Sequence, residues 1–288
     1  MISVIGLVVL IVMVFGGFAL TGGNLGPILH ALPHEMLIIG GASAGATLIS
    51  SDLKGIKAMG AGFVRIVKGP KYKKEDYSAA IFLTARLMRL FKTEGPTAVE
   101  PHIEDPRSSS IFAEYPQFAA DHFLISLITD SIRLMVVSTG SLPAHAVDEV
   151  IETAIDTHHH AAMQPVERLH SMSDSLPALG IVAAVLGVIK TMASIDKPPA
   201  ILGAMIGSAL VGTFLGVLLS YGIVGPAATR LKTVIDQDAE IYAVVRRVII
   251  ATLRGQPQPL VIEAARTAIG PAHQPSFSEV FDGMRTAR

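Results

Sequence analysis

The chain has 288 residues, of which 50% are hydrophobic and only 16% are charged, with a mean hydropathy of +0.52. Soluble domains carry roughly 25% charged residues, so this composition is typical of a membrane protein. The net charge of −1 gives no reason to expect nucleic acid as a partner, and the absence of cysteine excludes disulfides and thiolate chemistry.

Four stretches are apolar over a length that crosses about 30 Å of hydrocarbon. They are Ile2–Leu20, His34–Ser51, Leu176–Ser194 and Ala200–Val224. The first has no Lys or Arg before it and no small-residue cleavage site after it, so we interpret it as a retained span rather than a signal peptide. We therefore predict an all-α integral membrane protein with four transmembrane helices.

A fifth apolar stretch, Phe118–Val137, contains four polar side chains: Asp121, His122, Asp130 and Arg133. A charged residue at the centre of a bilayer costs about 2.5–3.5 kcal/mol on insertion scales. We therefore predict that this stretch is a buried amphipathic helix of a soluble domain.

Lysine and arginine predict the orientation of the spans. The loop Thr21–Pro33 contains neither, whereas basic residues are dense after the second span and recur after the fourth. The cluster after the second span consists of Lys54, Lys57, Arg65, Lys68, Lys71, Lys73 and Lys74. The positive-inside rule then makes both termini and both large polar segments cytoplasmic. Topology and contact with anionic lipid account for the cluster.

This orientation predicts four segments along the chain. Residues 1–53 form a transmembrane hairpin, and residues 54–172 form a large helical cytoplasmic domain. Residues 173–226 form the second hairpin, and residues 227–288 a cytoplasmic helix with a mobile tail. Apolar periodicity predicts helices over Asp76–Phe91 and Ala227–Leu253, with the Gly- and Pro-bearing stretch Gly95–Pro106 after the first of them.

The second hairpin carries two prolines, Pro177 and Pro226, which its geometry places at the same depth near the same face. A proline inside a helix removes one hydrogen bond and clashes with the carbonyl four residues earlier. The freed carbonyls would be those of Ser173 and Gly222. We interpret the two helix-breakers as one mechanical element.

Two further patterns have ordinary explanations. Gly41–Gly45 matches the G-x-S-x-G hydrolase pattern, but it lies inside a predicted span with no strand before it. Small residues at four-residue spacing let membrane helices approach closely, and the spacing recurs at Gly203/Gly207 and Gly212/Gly216. We therefore predict a packing role for these glycines.

The three consecutive histidines, His158 to His160, point in different directions on a helix and lack the companions of a zinc motif. We interpret them as a solvated face and predict no metal site.

The predicted spans hold few polar side chains. Thr213 lies in the middle of the fourth, and its hydroxyl either bonds back to a carbonyl one turn away or faces an ion path. Lys190 lies near the outer end of the third and can reach the interface. No Asp or Glu lies well inside any predicted span, although an ion carrier normally keeps an ionisable group there. Either the chain moves no ion, or a partner helix supplies the carboxylate.

Several segments distributed over the whole chain carry a family resemblance. They are Phe15–Gly17, Thr21–Gly23, Ile103–Arg107, Ile111–Pro116, Asp174–Gly187, Val211–Pro226 and Pro275–Phe277. On these segments the chain resembles the A subunits of the bacterial flagellar motor stator (MotA), which belong to the MotA/TolQ/ExbB proton channel family.

The resemblance implies a non-enzymatic, ion-driven torque generator in the bacterial inner (plasma) membrane, without a cofactor. A ring of A subunits, expected to be a homo-pentamer in contact with membrane lipid, would surround the membrane helices of two B subunits. Each B subunit (MotB-like) would supply the ion-binding aspartate. Ion passage would change the shape of the A subunits, whose cytoplasmic domains would push the rotor protein FliG.

Individual residues match the family's functional positions. Pro177 and Pro226 match its two functional prolines, and Thr213 matches a threonine that lines the ion route opposite the B subunit's aspartate. Asp174, just before Pro177, is a further candidate for receiving ions at the inner mouth.

The rotor-binding residues are expected in the cytoplasmic domain. Glu100 matches an acidic rotor-contacting residue, and Lys92 stands where the family usually has arginine, keeping the charge but losing the bidentate fork. Arg86 and Arg89 lie on the same helix as Lys92, at three-residue spacing. Separated basic and acidic patches steer a partner of opposite pattern. The alternative is a solvated helix face with local ion pairs.

Three other functions stay open at this stage. An ExbB/TolQ-type energiser driven by the proton-motive force usually has three spans. The predicted fourth span of this chain therefore argues against that function. A self-contained secondary transporter would need no partner, and a structural scaffold would tolerate changes at Thr213 or Pro226. Family similarity favours protons over sodium as the coupling ion.

Overall fold

The computed structural model describes residues 2–138 and 142–286, with side chains up to residue 283. Within these residues every regular element is a helix, which confirms the all-α prediction. The chain divides into two compact units. Unit 1 comprises Met1–Gly69 and Ala162–Val234, and unit 2 comprises Pro70–Ala161 and Ile235–Arg288.

Unit 1 holds the apolar helices. In chain order these are α1 (Ile2–Ile11), a π-helical segment (Val12–Gly16), α2 (Gly17–Leu20), α3 (Gly26–Ser50), α4 (Leu53–Lys68), the later part of α9 (Ala144–Met192), α10 (Pro199–Val217), a second π-helical segment (Leu218–Val224) and the start of α11 (Gly225–Leu253). By length and composition, three continuous helical stretches are able to cross a membrane: Ile2–Leu20, Ala144–Met192 and Pro199–Leu253. The predicted spans Ile2–Leu20 and Ala200–Val224 lie within these stretches, and Leu176–Ser194 runs two residues past the end of α9 at Met192.

The second predicted span, His34–Ser51, lies on α3, and this helix starts before the predicted span does. The helix begins at Gly26, with Pro27 in its first turn and Pro33 inside it. A proline in the first turn suits a helix start, because that N–H has no helical partner in any case. The two extra turns add His30 to the helix, and α3 is not among the three described stretches that qualify by length and composition.

The lysine-rich segment after α3 forms the amphipathic helix α4. The carboxylate of Asp52 accepts a 2.9 Å hydrogen bond from the N–H of Gly55 and caps its first turn. The buried stripe is Gly55, Met59, Gly62 and Ile66. A side chain at Gly62 would place its Cβ only 2.8 Å from Cδ2 of Leu231, so α4 packs closely on α11 within unit 1.

Unit 2 is a helical domain with one apolar core. Its elements are the first part of α9, the later part of α11, α5 (Lys74–Glu94), α6 (Pro96–Glu104), α7 (Ser110–Ala113), a 3₁₀ turn (Pro116–Phe118), α8 (His122–Val137), α12 (Gln258–Arg266) and α13 (Phe277–Thr286). Helix α8 buries Leu124, Ile128 and Ile132 in this core, as predicted for an amphipathic helix. The helices predicted over Asp76–Phe91 and Ala227–Leu253 are confirmed.

Two segments of unit 2 form helices that the sequence analysis did not predict. The Gly- and Pro-bearing stretch folds into α6, which α5 reaches through Gly95 at φ +84°, a conformation that favours glycine. The tail expected to be mobile forms α13, in which Val280 is fully buried and Glu279 pairs with Lys74 at 2.8 Å. Apolar residues at helical spacing give this short segment a face to bury.

Candidate functional site

Pro177 lies inside α9, which continues through it without ending. Because proline has no N–H, the carbonyl of Ser173 loses its helical donor. Oγ of Ser220 donates a 2.7 Å hydrogen bond to that carbonyl, and Oγ of Ser173 donates to the carbonyl of Ser220 at 3.1 Å. Both serines are buried. We call these two bonds the serine clasp.

Pro226 follows the π-helical segment Leu218–Val224. There the N–H of Gly225 donates to the carbonyl of Ser220, five residues earlier. The wider π turn brings Pro226 into the first turn of α11, where proline is tolerated. Neither proline ends its helix: at Pro177 the serine clasp supplies the missing bond, and at Pro226 a π turn accommodates the proline.

Helices α9 and α10 approach each other at glycines. A Cβ added to Gly180 would lie 2.8 Å from the carbonyl oxygen of Gly212, and one added to Gly216 would lie 2.6 Å from that of Leu176. The packing role predicted for Gly212 and Gly216 is thus confirmed within the chain.

The same prediction is not borne out within the chain for the other small-residue pairs. A Cβ at Gly41, Gly45, Gly203 or Gly207 would meet no atom of the described residues within 4 Å. These glycines leave open helix faces. Ser43, between the first two, is buried inside α3, so the G-x-S-x-G pattern has no strand-to-helix elbow.

Thr213 is half-buried on α10, next to Gly212. Several other threonines of unit 1 bond back to a carbonyl one turn earlier, as Thr191 does to Gly187 at 2.9 Å. The hydroxyl of Thr213 makes no hydrogen bond to any residue that the structure describes. Of the two interpretations given for Thr213, the back-bonded one is therefore wrong.

The prediction that the membrane helices bury no acidic residue is also wrong. Glu35 lies in the third turn of α3, is only 7% exposed, and shares a buried stripe with Ala31, Ile39 and Ser43. Its Oε2 is fully buried and has no hydrogen-bond partner among the described residues. It was missed because the sequence places Glu35 at the edge of the apolar stretch, whereas the helix starts nine residues earlier.

Asp174 is exposed on α9, one turn before Pro177. The side chains of its neighbours Ser173 and Ser175 are bonded, to Ser220 and to the carbonyl of Met172 respectively. The carboxylate of Asp174 thus faces outward from the serine clasp rather than into it.

The residues predicted to bind the rotor differ in whether they form an ion pair within the chain. Arg86 is partly buried and forms a 2.5 Å ion pair with Glu114. Arg89 and Lys92 are exposed on α5, Glu100 is exposed on α6, and none of these three has an ion-pair partner among the described residues. Arg89 and Lys92 also border a cavity of about 260 Å³ beside the segment that joins α11 to α12.

The three histidines do not share one solvated face. The ring of His158 stacks on Phe123 with centroids 3.7 Å apart and meets Tyr242 edge-on, while His159 lies 3.4 Å from Asp236. Only His160 is exposed. Burial lowers the pKa of His158, and the charge of Asp121 offsets this only in part.

Asp121 is a buried polar centre of unit 2. Its carboxylate accepts hydrogen bonds from the hydroxyls of Tyr72 (2.5 Å) and Tyr242 (3.1 Å), from Lys71 (3.3 Å) and from the N–H of Leu124 (3.0 Å). Burial acts to raise the pKa of this carboxyl, but the bonds from Tyr72, Leu124 and Lys71 outweigh it and lower the pKa. Asp121 is thus structural, and its contacts show why this apolar helix carries an acid.

Within the described ranges, no group of three or more His, Asp or Glu side chains is placed to hold a metal ion. The distinctive chemistry of unit 1 is therefore carried by the serine clasp, Thr213 and Glu35. That of unit 2 lies in the exposed charges of α5 and α6.

Comparison with known proteins covers the whole chain. The models "Motility protein A N-terminal" and "MotA/TolQ/ExbB proton channel family" match residues 4–95 and 121–243. Motility protein A of Salmonella typhimurium is 37% identical over 288 residues, which is 100% of this chain and 96% of that protein. Chemotaxis protein LafT of Vibrio parahaemolyticus is 34% identical over 276 residues, covering 96% of this chain and 95% of that protein.

A solved structure has the same fold. The structure of C. jejuni MotAB aligns with a TM-score of 0.72 at 18% identity, over 93% of this chain and 95% of that chain. At this level of identity the likeness concerns the fold alone.

Proposed function

The chain belongs to the motility protein A family of the MotA/TolQ/ExbB proton channels, and from this premise we propose that it is the A subunit of an ion-driven flagellar stator. It is an inner-membrane protein and not an enzyme. The observation that carries the proposal is the unbonded hydroxyl of Thr213, half-exposed on α10 beside the glycines where α9 and α10 meet.

Four spans remain our proposal for the topology. Helix α3 is the additional span, with 25 residues and therefore about 37 Å of length. Both termini and unit 2 are cytoplasmic by the distribution of lysine and arginine. Helix α4 lies at the inner surface, where Phe63, Val64 and Val67 are exposed together with Lys54 and Lys57, a composition suited to contact with anionic lipid.

The partner is a MotB-like B subunit that supplies an ion-binding aspartate opposite Thr213. The C. jejuni assembly is named MotAB after both subunits. The open faces at Gly41/Gly45 and Gly203/Gly207 suit helices of other chains, because small residues permit close approach. We propose a pentameric ring of this chain around two B subunits.

Ion binding to the B subunit's aspartate neutralises a charge beside Thr213 and so changes the packing of α9 and α10. The serine clasp and the π turn are the points where these helices adjust, because each replaces the regular bonds of an α-helix. Helices α9 and α11 contribute to both units and carry the change to the cytoplasm. There Lys92 and Glu100 push FliG by charge pairing, with Arg89 and Arg86 beside Lys92. Asp174 receives ions at the inner mouth.

Replacement of Pro177 by alanine tests this mechanism. The variant should assemble with the B subunit, because alanine restores the N–H and removes only two ring carbons of a partly buried residue. Swimming should stop, because α9 then has a regular ladder and loses its point of adjustment. Normal swimming speed in P177A, with normal membrane levels, contradicts the hinge.

The alternative functions differ in their need for a partner. A self-contained transporter would take up substrate in liposomes that contain this chain alone, whereas a stator subunit requires the B subunit. An ExbB/TolQ-type energiser would leave swimming unaffected when the gene is deleted. Swimming in sodium-free medium, and its arrest by a protonophore, distinguishes protons from sodium as the coupling ion.

A further inference from the structure

The buried carboxylate of Glu35 has no role in the mechanism above. Its Oε2 points at α10, where a Cβ on Gly212 would lie only 2.6 Å away. Gly212 therefore leaves the space that this oxygen occupies, directly next to Thr213 in the chain. Gly212, which makes room for the carboxylate of Glu35, and Thr213, the candidate ion-route residue, are therefore neighbours on α10.

Glu35 also borders a partly open cavity of about 530 Å³ lined by α3, α9 and α10. In the liquid a water molecule occupies about 30 Å³, so the cavity holds several. The polar side chains that line it are His30 and His34 from α3, Lys190 and Thr191 from α9, and Ser208 from α10. It lies toward the ends of α3, α9 and α10 that face away from the serine clasp.

A carboxylate in this position is unstable as an isolated charge. An ionised carboxylate without a partner in an apolar medium carries a large desolvation cost, and it avoids this cost by taking up a proton or by binding a cation. No salt bridge to Glu35 is formed within the described residues. Water in the cavity provides the route by which a proton reaches it.

The lining favours a proton over a metal cation. A metal cation needs several oxygen ligands at once, and apart from Glu35 the lining side chains offer only two hydroxyls. The hydroxyl of Thr191 donates its hydrogen to the carbonyl of Gly187 at 2.9 Å, and the two hydroxyl oxygens together with the carboxylate fall short of a complete coordination shell. The ammonium group of Lys190 repels a metal cation, and among the described residues His30, His34 and Glu35 do not form a group placed to hold a metal ion. A proton needs only one free oxygen, which Oε2 provides.

We propose that Glu35 is a proton-binding residue on this chain's own part of the conduction route, taking protons from the cavity on their way to the B subunit's aspartate. The proposal rests on the proposed function and extends it: the A subunit contributes an acid of its own. Titratable groups face Glu35 from α3 (His30, His34) and α9 (Lys190), and α10 contributes none.

The test measures proton flux through the reconstituted complex of this chain with its B subunit, in liposomes with a pH-sensitive dye. E35Q keeps the shape but cannot bind and release a proton, so its flux should fall by about 100-fold. E35D should keep part of the flux and shift its dependence on the outer pH. M36L, an apolar exchange at the exposed neighbour of Glu35 on α3 and outside the cavity lining, should match the wild type.

Flux through an assembled E35Q complex that equals wild-type flux would overturn the proposal. So would a loss of flux that occurs only when sodium is the driving cation. If E35Q does not assemble, chemical labelling of the wild-type complex tests the proposal instead. A hydrophobic carbodiimide reacts with protonated buried carboxyls, and mass spectrometry should find its adduct on Glu35, more at acidic than at alkaline pH. No adduct, or one independent of pH, refutes the assignment.

A wild-type complex that conducts no protons would contradict the proposed function instead. The carbodiimide measurement requires no flux and would still test Glu35 separately.

Discussion

The hydroxyl of Ser220 takes the place of the backbone N–H that Pro177 lacks: its Oγ lies 2.7 Å from the carbonyl oxygen of Ser173. The bond is returned, because Oγ of Ser173 donates to the carbonyl of Ser220 at 3.1 Å. A proline that would leave a buried carbonyl unpaired is thereby tied to the neighbouring helix. The two carbonyl groups differ in whether they have a second donor, and mutants of the two serines can test this difference.

Replacing Ser220 by alanine should destabilise the protein more than replacing Ser173. S220A leaves the Ser173 carbonyl buried without a donor, which costs about 1–3 kcal/mol. S173A leaves the Ser220 carbonyl still bonded to the N–H of Gly225. Denaturant unfolding in detergent compares the two. S175A is the control, because that hydroxyl bonds only to its own helix. Equal losses in S220A and S173A would contradict the serine clasp.

The cost of S220A should shrink when Pro177 is also replaced by alanine. In P177A the new alanine supplies the N–H that bonds the Ser173 carbonyl inside α9, so Ser220 is no longer needed. A double-mutant cycle should give a coupling energy of about 1 kcal/mol or more. Additive free energies of unfolding would show that the hydroxyl does not replace the missing N–H.

Alanine at Gly216 should destabilise unit 1, because its Cβ would lie 2.6 Å from the carbonyl oxygen of Leu176. Backbone atoms yield little, and overpacking of this kind costs about 1–3 kcal/mol. Gly203→Ala on the same helix is the matched control, since its Cβ meets no described atom within 4 Å. Unfolding of the purified chain in detergent measures both. A larger loss for G203A than for G216A would exclude close packing of α9 and α10 at this glycine.

Charge reversal at Lys92 should reduce swimming more than charge reversal at Arg86. Lys92 is exposed and has no ion-pair partner among the described residues, whereas Arg86 is already paired with Glu114. K92E therefore changes the surface offered to the rotor, and R86E mainly breaks an internal pair. Swimming speed at matched protein levels measures both, with E149K, an exposed acid on α9, as control. An effect of R86E larger than that of K92E would move the rotor contact away from Lys92.

Stability should decrease as the pH falls below the usual histidine value of 6.5, in part through His158. Burial lowers the pKa of His158, so between its folded pKa and 6.5 the unfolded chain binds a proton that the folded protein does not. Acid therefore favours unfolding in this interval. H158F keeps the stack on Phe123 and should flatten the dependence of the melting temperature on pH, whereas the exposed-site control H160Q should not. Identical pH slopes in H158F and the wild type would refute this.

Much of the fold follows from local patterns. Helices α5, α8 and α11 were predictable because their apolar residues recur at helical spacing. The periodic positions of α11 are all buried: Leu231, Val234, Ile235, Ile241, Val245 and Ile249. The resemblance of the whole chain to stator A subunits was likewise present in linear segments. No folded geometry was needed to notice Pro177, Pro226 or Thr213.

The sequence alone did not show which groups meet. Ser173 and Ser220 are 47 residues apart, and nothing in the chain order joins a freed carbonyl to one particular hydroxyl. The prediction of one solvated histidine face was wrong for the same reason. The aromatic neighbours of His158, Phe123 and Tyr242, come from other helices.

Glu35 shows most clearly which properties follow from the sequence and which depend on packing. The amino-acid order determined an apolar helical chain with an acid near the edge of one hydrophobic stretch. Only the packing of α3 against α10 buried that acid, because the missing side chain of Gly212 makes room for its oxygen. Whether a carboxylate is solvated or buried depends on what surrounds it, and residues far away in sequence supply those surroundings.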